Sequence, residues 1–461
     1  MVFASPIFLF AFMPLAVGLC MLARWTKRPW VRNGLLLLFS LAFYAWGEPT
    51  YVFLMLGAIL ANYLLAFRVR ESRLVFVCAV ALDLGMLAVF KYLDLLISAA
   101  NGLFRLNLPG AHLALPIGIS FYTFQILSYV IDVRRGDVPP ARNLVDFAAY
   151  VSMFPQLIAG PIVRYVDVAA DLRRLNGDIS TAAAGARRFC MGLAKKVLLA
   201  NTLASAADTA FGMTGSLNFG GAWAGLIAYA LQIYFDFSGY SDMAIGLGEM
   251  FGFHFPENFD HPYESKSITE FWRRWHITLS TWFREYLYIP LGGNRKGVAR
   301  QIINLFIVWF LTGLWHGAGW NFILWGLYYF VLLVLEKFVL RRVLERLPAV
   351  VQHLYTLFFV VVGWVIFACD DMGLLGSYLK AMFGIGAPAG NALALYEWDV
   401  QAPFLVILLI ASTTLPARIA KQLTREDQRS PLLMVYTVGL LVLSLAFLVS
   451  GSYNPFLYFR F

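Results

Sequence analysis

A stretch of 35 residues, Gln301 to Leu335, contains no Asp, Glu, Lys or Arg, and it constrains the fold more than any other feature of the sequence. One helix needs roughly 20 residues to cross a hydrocarbon core about 30 Å thick, so the stretch is too long for a single crossing. Gly313, Gly317 and Gly319 cluster near its centre, and glycine permits a tight or broken backbone there. The stretch is therefore predicted to form a helical hairpin.

The single histidine of this stretch, His316, falls at the expected turn. A first arm from Ile302 to Leu314 would rise only about 20 Å, which predicts that the turn stops inside the bilayer. Irregular backbone at that depth survives only where it is packed in protein or lines a wet cavity, and a titratable side chain there indicates function. We expect His316 to face a polar cavity, in preference to a structural histidine bonded to a backbone carbonyl.

The composition, 60% hydrophobic and 14% charged over 461 residues, predicts a polytopic membrane protein. The net charge of +9 is not the mark of a nucleic-acid-binding protein, because the basic residues are concentrated between apolar runs. This positive-inside pattern predicts that the basic segments are cytoplasmic. They are residues 24–32, 68–73, 134–142, 164–196, 266–300, 337–346 and 418–429. Four isolated cysteines indicate neither a disulfide framework nor a zinc site.

The apolar runs between these segments predict about eleven crossing helices, with both termini outside the cytoplasm. Two further runs, 145–160 and 240–255, are predicted to be re-entrant or half-buried. No repeat or linker divides the chain, so residues 1–461 are predicted to form one all-α membrane domain. The crossing runs lie near 3–22, 34–47, 51–67, 74–90, 113–131, 197–213, 217–237, 302–314, 320–335, 351–369, 403–417 and 431–450.

A second unusual segment, Ser265 to Gly297, combines tryptophans, arginines and a histidine. Ser267 or Thr269, followed by Glu270, predicts a helix start. An amphipathic helix lying on the inner leaflet and a site for an anionic ligand explain the arginines equally well. His276, directly after Trp275, favours the ligand site. Helical spacing places Phe271, Trp275, Leu279 and Trp282 on one face and leaves Arg273, Arg274 and Arg284 for solvent or anionic groups.

Two carboxylates, Asp236 and Asp242, lie in the apolar run Tyr234 to Gly248. We expect each to cap a helix end or to pair with an arginine such as Arg164 or Arg274, in preference to direct catalysis.

Two motifs, WRRWHITLSTWFREYLYIPLGGNRKG at 272–297 and LTGLWHGAGWNFILWG at 311–326, resemble the membrane-bound O-acyltransferases. The resemblance is strongest to the bacterial branch that acetylates exopolysaccharides such as alginate. Supporting segments occur in the family's order over nearly the whole chain. They are LPIGISFYTFQILSYVIDV at 115–133, LIAGPIVR at 157–164, YFDFSGYSDMAIGLG at 234–248 and YNPFLYFRF at 453–461.

The resemblance implies a ring of membrane helices around a central tunnel that joins a cytoplasmic donor site to an acceptor site on the other face. It implies that His316 is the catalytic histidine and His276 the second active-site residue. We expect His316 to act as general base and His276 to polarise the thioester carbonyl or to orient the donor. Acetyl-CoA is the expected donor and no metal is expected. Donor-binding residues would be Lys266, Trp272, Arg273, Arg274, Trp275 and Arg284, with Asp236, Asp242, Trp315 and Asn321 in support.

The same resemblance implies a bacterial inner-membrane protein that works with a periplasmic acetyltransferase or adaptor, with polysaccharide synthesis and export machinery, and with membrane lipid. Cellulose and other glycans remain open as acceptors, as does D-alanyl transfer to teichoic acid from a carrier protein. An ion-coupled exporter would also use buried Asp236, Asp242 and His316, but no inverted repeat supports it. A scaffold that only recruits synthases would leave the buried histidine unexplained.

Overall fold

The computed structural model describes residues 1–213, 217–386, 404–424 and 430–451. Within these ranges the regular structure is helical, and the only β pairing there is an isolated antiparallel bridge between Phe259 and Trp275. The prediction of an all-α protein is therefore confirmed. The predicted motif at 453–461 lies outside the described residues, as do residues 425–429 of the last basic segment.

The chain divides into two compact units, Met1–Cys190 with Tyr240–Glu257, and Met191–Gly239 with Asn258–Phe461. The prediction of one domain over residues 1–461 stays a prediction. Helices that lie wholly in the first unit are α1 (Met13–Ala23), α2 (Pro29–Gly47), α3 (Tyr51–Ala66), α4 (Arg73–Phe104), α5 (Ile119–Arg135), α6 (Leu144–Ser152), α7 (Phe154–Leu157) and α8 (Tyr165–Arg173).

Two helices, α9 (Ile179–Ala194) and α11 (Phe219–Phe251), contribute residues to both units. Those wholly in the second unit are α10 (Asn201–Gly212), α12 (Ile268–Arg274), α13 (Ile277–Phe283), α14 (Val298–His316), α15 (Trp320–Leu335), α16 (Arg341–Leu344), α17 (Ala349–Ala368), α18 (Met372–Met382), α19 (Phe404–Ala411), α20 (Leu415–Thr424) and α21 (Pro431–Ser450).

Six helices among the described residues are long and apolar enough to cross a membrane. A seventh crossing is possible if α19 and α20, which meet at 72°, form one broken span. The other crossings of the predicted eleven fall on shorter or more polar helices and stay predictions. The six are Phe8–Thr26, Arg73–Phe104, Val298–His316, Trp320–Leu344, Ala349–Ala368 and Pro431–Ser450.

Helix α11 is continuous where the sequence predicted a span at 217–237 and a separate re-entrant run at 240–255. Its glycines serve close helix packing rather than a chain break. A Cβ on Gly239 would lie 2.8 Å from the carbonyl oxygen of Gly192, and a Cβ on Gly246 would collide with that of Gly185. Both partners belong to α9, so glycine lets the two backbones approach.

The charge-free stretch forms the predicted hairpin, built from α14 and α15. The arms approach closely through glycine, since a Cβ on Gly313 would collide with the carbonyl oxygen of Phe322. The first arm is longer than predicted because α14 begins at Val298, ahead of the charge-free residues. Nineteen residues rise about 28 Å, so arm length no longer fixes the depth of His316.

Buried polar contacts anchor α2 in the first unit. Arg32 and Asn33 are fully buried, and the Arg32 guanidinium donates to the carbonyl oxygen of Asp171 at 2.7 Å. The Asn33 amide donates to the Asp146 carboxylate, also at 2.7 Å. The short helices α6 and α7, which cover much of the predicted re-entrant run at 145–160, are buried at every position from Asp146 to Leu157.

Candidate active site

His316 is the last residue of α14, and it is buried where the hairpin turns. Helix α14 gives way to an extended backbone conformation at Gly317, and α15 begins at Trp320. The His316 imidazole ring lies among aromatic rings, with centroid distances of 5.0 Å to Trp325 and 5.3 Å to Phe367. These neighbours form an aromatic wall, and the polar cavity expected from the sequence stays a prediction.

Trp315 contacts both of the histidines that the sequence selected. Its ring centroid is 5.0 Å from that of His316 and 6.0 Å from that of His276. Residues that are 40 positions apart in the chain therefore share one tryptophan. The structure brings His276, Trp315 and His316 together within the second unit.

The segment carrying His276 is two short helices and not the single amphipathic helix that the sequence predicted. Helix α12 begins after Ser267, whose side chain accepts from the Glu270 amide, as expected. It ends at Arg274, and His276 then adopts a left-handed conformation, φ 45° and ψ 54°, ahead of α13. The predicted apolar face is buried in protein, since Phe271, Trp275, Leu279 and Trp282 are at most 7% exposed.

Asn258 holds the His276 ring, and sequence reasoning missed it. Its side-chain oxygen lies 3.0 Å from Nδ1 of His276 and accepts from the Thr278 hydroxyl at 2.9 Å. Its backbone carbonyl accepts from the Ile277 amide at 3.0 Å. The residue precedes the bridge between Phe259 and Trp275. No local pattern indicates this contact, because it joins residues that are 18 positions apart in the chain.

Burial keeps the His276 imidazole neutral. The ring is 1% exposed, and desolvation lowers its pKa to about 3 from the ordinary value of 6.5. Phe237 packs edge-on against the ring with a centroid distance of 4.8 Å. Among the described residues, Nε2 has no hydrogen-bond partner. A neutral imidazole in this setting can make hydrogen bonds at physiological pH.

The basic residues predicted to bind the donor divide into two groups. Lys266, Arg273 and Arg284 are exposed, which suits contact with an anionic ligand. Arg274 is partly committed, because its guanidinium lies 2.7 Å from the Glu270 carboxylate one helical turn away. Trp272 and Trp275 point into the protein core, 8% and 4% exposed.

Glu336 anchors the start of α12, a role that sequence reasoning also missed. The carboxylate is 5% exposed and accepts from the backbone amides of Ile268 and Thr269 at 2.7 and 2.9 Å. It also accepts from the Thr269 hydroxyl. The first amides of a helix lack partners within it, and a carboxylate there is favourable. Glu336 thereby connects the continuation of α15 to the helix that carries Arg273 and Arg274.

The two carboxylates of α11 form ion pairs, as expected, although with different partners. Asp236 pairs with Lys196 at 2.7 Å, and both side chains are buried. Asp242 lies 3.1 Å from Arg188. The suggested arginines are used elsewhere, because Arg164 pairs with Asp167 and Arg274 with Glu270. The partners could not be predicted from the sequence, because the paired residues are far apart in the chain.

Asn321 fastens the second arm of the hairpin to α17. Its amide donates to the carbonyl oxygen of Phe367 at 3.0 Å, and the Phe367 ring packs against His316. Asn321 is therefore placed to hold part of the aromatic wall. Over the parts of the chain that the structure describes, no three His, Cys, Asp or Glu residues form a group that could hold a metal ion.

Comparison with known proteins agrees with this architecture. Residues 140–377 match the family model for MBOAT, the membrane-bound O-acyltransferase family. The chain is 40% identical to the probable alginate O-acetylase AlgI of Pseudomonas putida, with all of both chains covered. It is 46% identical to the protein of the same name from Pseudomonas fluorescens, covering 84% of this chain and 76% of the relative. It is 32% identical to the peptidoglycan O-acetyltransferase of Helicobacter pylori, covering 100% of this chain and 98% of the relative.

The match to the family model takes in α12 to α15, and so it includes both histidines and the hairpin. The relatives carry O-acetylase and O-acetyltransferase names, and apolar helices run through much of the described chain. This multi-pass membrane protein is an O-acyltransferase and belongs to the membrane-bound O-acyltransferase family.

Proposed function

We propose that the protein takes an acetyl group from cytoplasmic acetyl-CoA and passes it across the bacterial inner membrane for O-acetylation of an exported polysaccharide of the alginate type. The observation that carries the proposal is the pair of buried histidines that both contact Trp315. One of them, His276, closely follows α12, the helix that presents the exposed Arg273. The names of the relatives support acetyl transfer to a glycan hydroxyl.

His316 is the proposed general base. As the acceptor oxygen attacks the carbonyl carbon of the thioester, the imidazole takes the hydroxyl proton. The new C–O bond forms, the C–S bond breaks, and the proton passes to the departing thiolate of coenzyme A. The aromatic wall of Trp325 and Phe367 supports this role, since a site that excludes water strengthens the hydrogen bonds made during transfer.

Of the two roles predicted for His276, orientation of the donor has the better support. Polarisation of the thioester carbonyl needs an N–H aimed at the developing oxyanion. The ring nitrogen whose hydrogen-bond partner is resolved, Nδ1, faces the oxygen of Asn258, and burial disfavours a second proton on the ring. We therefore assign His276 to substrate orientation.

The donor phosphates are proposed to meet Arg273, Lys266 and Arg284, which are exposed. Arg274 contributes less, because Glu270 already neutralises it. Charge-assisted hydrogen bonds from arginine to phosphate are about twice as strong as neutral ones. Trp272 and Trp275 are buried, so their proposed part is to shape the wall behind the site.

Acetylation outside the cytoplasm requires partners on that face. We propose a periplasmic acetyltransferase or adaptor, together with the polysaccharide synthesis and export machinery and surrounding lipid. Cellulose, peptidoglycan and other glycans are alternative acceptors, and D-alanyl transfer to teichoic acid from a carrier protein is the alternative reaction. The ion-coupled exporter is set aside by membership of an acyltransferase family.

Binding of acetyl-CoA to the purified protein in nanodiscs tests the donor. Arg273→Ala should weaken binding about tenfold or more, the effect of losing one charge-assisted hydrogen bond. Arg68→Ala is the matched control, because Arg68 is also exposed and lies in a basic segment of the first unit. Equal affinity in Arg273→Ala and wild type would contradict the proposed donor site. Absence of binding to wild type would favour a carrier-protein donor.

A further inference from the structure

Asn258 occupies a position that the transfer mechanism does not yet use. It lies in the chain that follows α11, is fully buried, and contacts His276 by side chain and Ile277 by backbone. Three groups converge on its side-chain oxygen: Nδ1 of His276, the Thr278 hydroxyl and, at 3.4 Å, the Thr278 amide.

The identity of that oxygen follows from its partners. A backbone N–H can only donate, so the atom that meets the Thr278 amide must be an acceptor, and the Asn258 amide is thereby oriented with its oxygen toward His276. An amide oxygen accepts and cannot donate. Nδ1 of His276 must therefore carry the proton of the neutral ring.

With the proton on Nδ1, Nε2 carries a lone pair. Nε2 is buried and has no hydrogen-bond partner among the described residues. A buried acceptor that is left unsatisfied is destabilising, and native structures rarely contain one without a functional reason. The contact that His276 and His316 share with Trp315 places the His276 ring in the same aromatic cluster as the proposed base.

We propose that Asn258 is a positioning residue that fixes His276 in the Nδ1–H tautomer, so that Nε2 accepts a hydrogen bond from an N–H or O–H group of a bound substrate. This inference rests on the proposed acyl transfer. The donating group is either an amide N–H of the pantetheine arm or the hydroxyl that attacks the thioester. His276 takes no proton in this role and serves to hold the reacting group in line. Burial, which keeps the ring neutral, supports the assignment.

Backbone geometry supports the same arrangement. The Asp260 amide donates to the carbonyl oxygen of Arg274 at 3.0 Å, and the Ile277 amide donates to that of Asn258 at 3.0 Å. These two bonds flank the bridge between Phe259 and Trp275 and hold Asn258 beside His276. The left-handed conformation of His276 is unfavourable for a residue other than glycine, and such strain concentrates at functional sites.

The tautomer is measured directly by nitrogen NMR of the full-length protein, labelled at histidine and reconstituted in bilayers. The sequence holds six histidines, and the His276 signal is the one that disappears in His276→Asn. We expect an Nδ1–H signature in wild type and its loss in Asn258→Leu. An Nε2–H signature in wild type overturns the proposal. This measurement needs no acyl donor, so it stands even if acetyl-CoA is not the substrate.

Steady-state acetyl transfer then tests the consequence. His276→Asn can keep the Nδ1 contact but has no atom at the Nε2 position, and we expect a loss of about 10-fold to 100-fold, the effect of one lost hydrogen bond to the reacting substrate. Asn258→Asp keeps the acceptor oxygen and should retain most activity at about pH 8, with a new decline toward about pH 6 because a carboxylate raises the pKa of a neighbouring imidazole. Asn258→Leu should lose activity at every pH.

Thr278→Val is the matched control, since it removes one contact to Asn258 and leaves the bond to His276. If Asn258 has a purely structural role, Thr278→Val and Asn258→Leu should be equally impaired, and Asn258→Asp should have the pH profile of wild type. These two results together would overturn the proposal. The kinetic constant that changes in His276→Asn identifies the substrate group that donates to Nε2. A raised KM for acetyl-CoA indicates a pantetheine amide, and a raised KM for the acceptor indicates the attacking hydroxyl.

Discussion

His276 combines burial and one hydrogen-bonded ring nitrogen with a left-handed backbone, and a packed core histidine does not need the left-handed backbone. A core histidine would be satisfied more simply in a helical conformation. His316 shows the complementary arrangement, an imidazole at a helix end enclosed by aromatic rings. At the scale of residues, the site is therefore built from two histidines with different surroundings, which suits two different tasks.

The acid sensitivity of the fold tests the burial of His276. Its pKa is lowered to about 3 in the folded protein, while in the unfolded chain it lies near 6.5. Below pH 6.5 the unfolded state therefore binds a proton at His276 that the folded state does not bind. The free energy of unfolding decreases as the pH falls toward 3. His276→Asn removes this contribution. We expect its unfolding temperature to fall less than that of wild type between about pH 7 and pH 4.5, and an identical fall would contradict the burial.

The sequence was sufficient to select His316, His276 and the exposed arginines, because each belongs to a local pattern: a glycine-rich break, a tryptophan pair or a helix start. Asn258 and Glu336 could not be selected, since their contacts join residues 18 and 68 positions apart and leave no local trace. The ion pairs of Asp236 and Asp242 were predicted in kind, but the sequence could not identify Lys196 and Arg188 as their partners.

Among the helices, α12 is short and depends on its neighbours for stability. Seven residues form a marginal helix on their own, so tertiary contacts must hold it. Glu336 supplies acceptors for its first amides, and Ser267 caps it. Glu336 also begins a π-helical turn, Glu336–Leu340, and π turns are frequent at functional sites.

Removal of the Glu336 carboxylate should destabilise the protein and weaken donor binding together. Glu336→Ala leaves two buried amides without a partner, at a cost of about 1–3 kcal/mol each. Glu336→Gln keeps one acceptor and should be intermediate. Glu345→Ala is the control, because Glu345 lies on the same segment and makes an exposed pair with Arg341. Thermal unfolding measures the stability, and acetyl-CoA binding measures the affinity for the donor. If Glu336→Ala is destabilised but binds acetyl-CoA with unchanged affinity, α12 is not part of the donor site.

Helix boundaries were predicted less well than helix existence. Helix α11 continues through the point where a break was expected, because its glycines pack against α9 and do not end the helix. Helix α14 begins before the charge-free stretch, since backbone hydrogen bonding does not stop where the apolar residues do. A charged residue such as Arg300 can lie in the first turn of a membrane helix when its side chain reaches the interface.

At the scale of the whole molecule, the basic segments predict the topology. A reporter fused after Phe461 should be active outside the cytoplasm, and one inserted in the basic segment 418–429 should be active inside it, because basic segments remain cytoplasmic. A reporter in the loop 68–73 is a control on an unambiguous basic segment. A cytoplasmic position for the Phe461 fusion would contradict the predicted topology.

The O-acetyl content of the exopolysaccharide secreted by a host that carries only a His316→Ala copy tests the central claim most directly. Loss of a general base costs about 100-fold to 10,000-fold in rate, so acetylation should fall below detection while polymer yield and protein level stay unchanged. His316→Gln should be nearly as inactive, because an amide cannot take a proton at neutral pH. His254→Ala, which changes an exposed histidine of the first unit, should leave acetylation unchanged. Normal acetylation in His316→Ala, or loss of the polymer itself, would contradict the account.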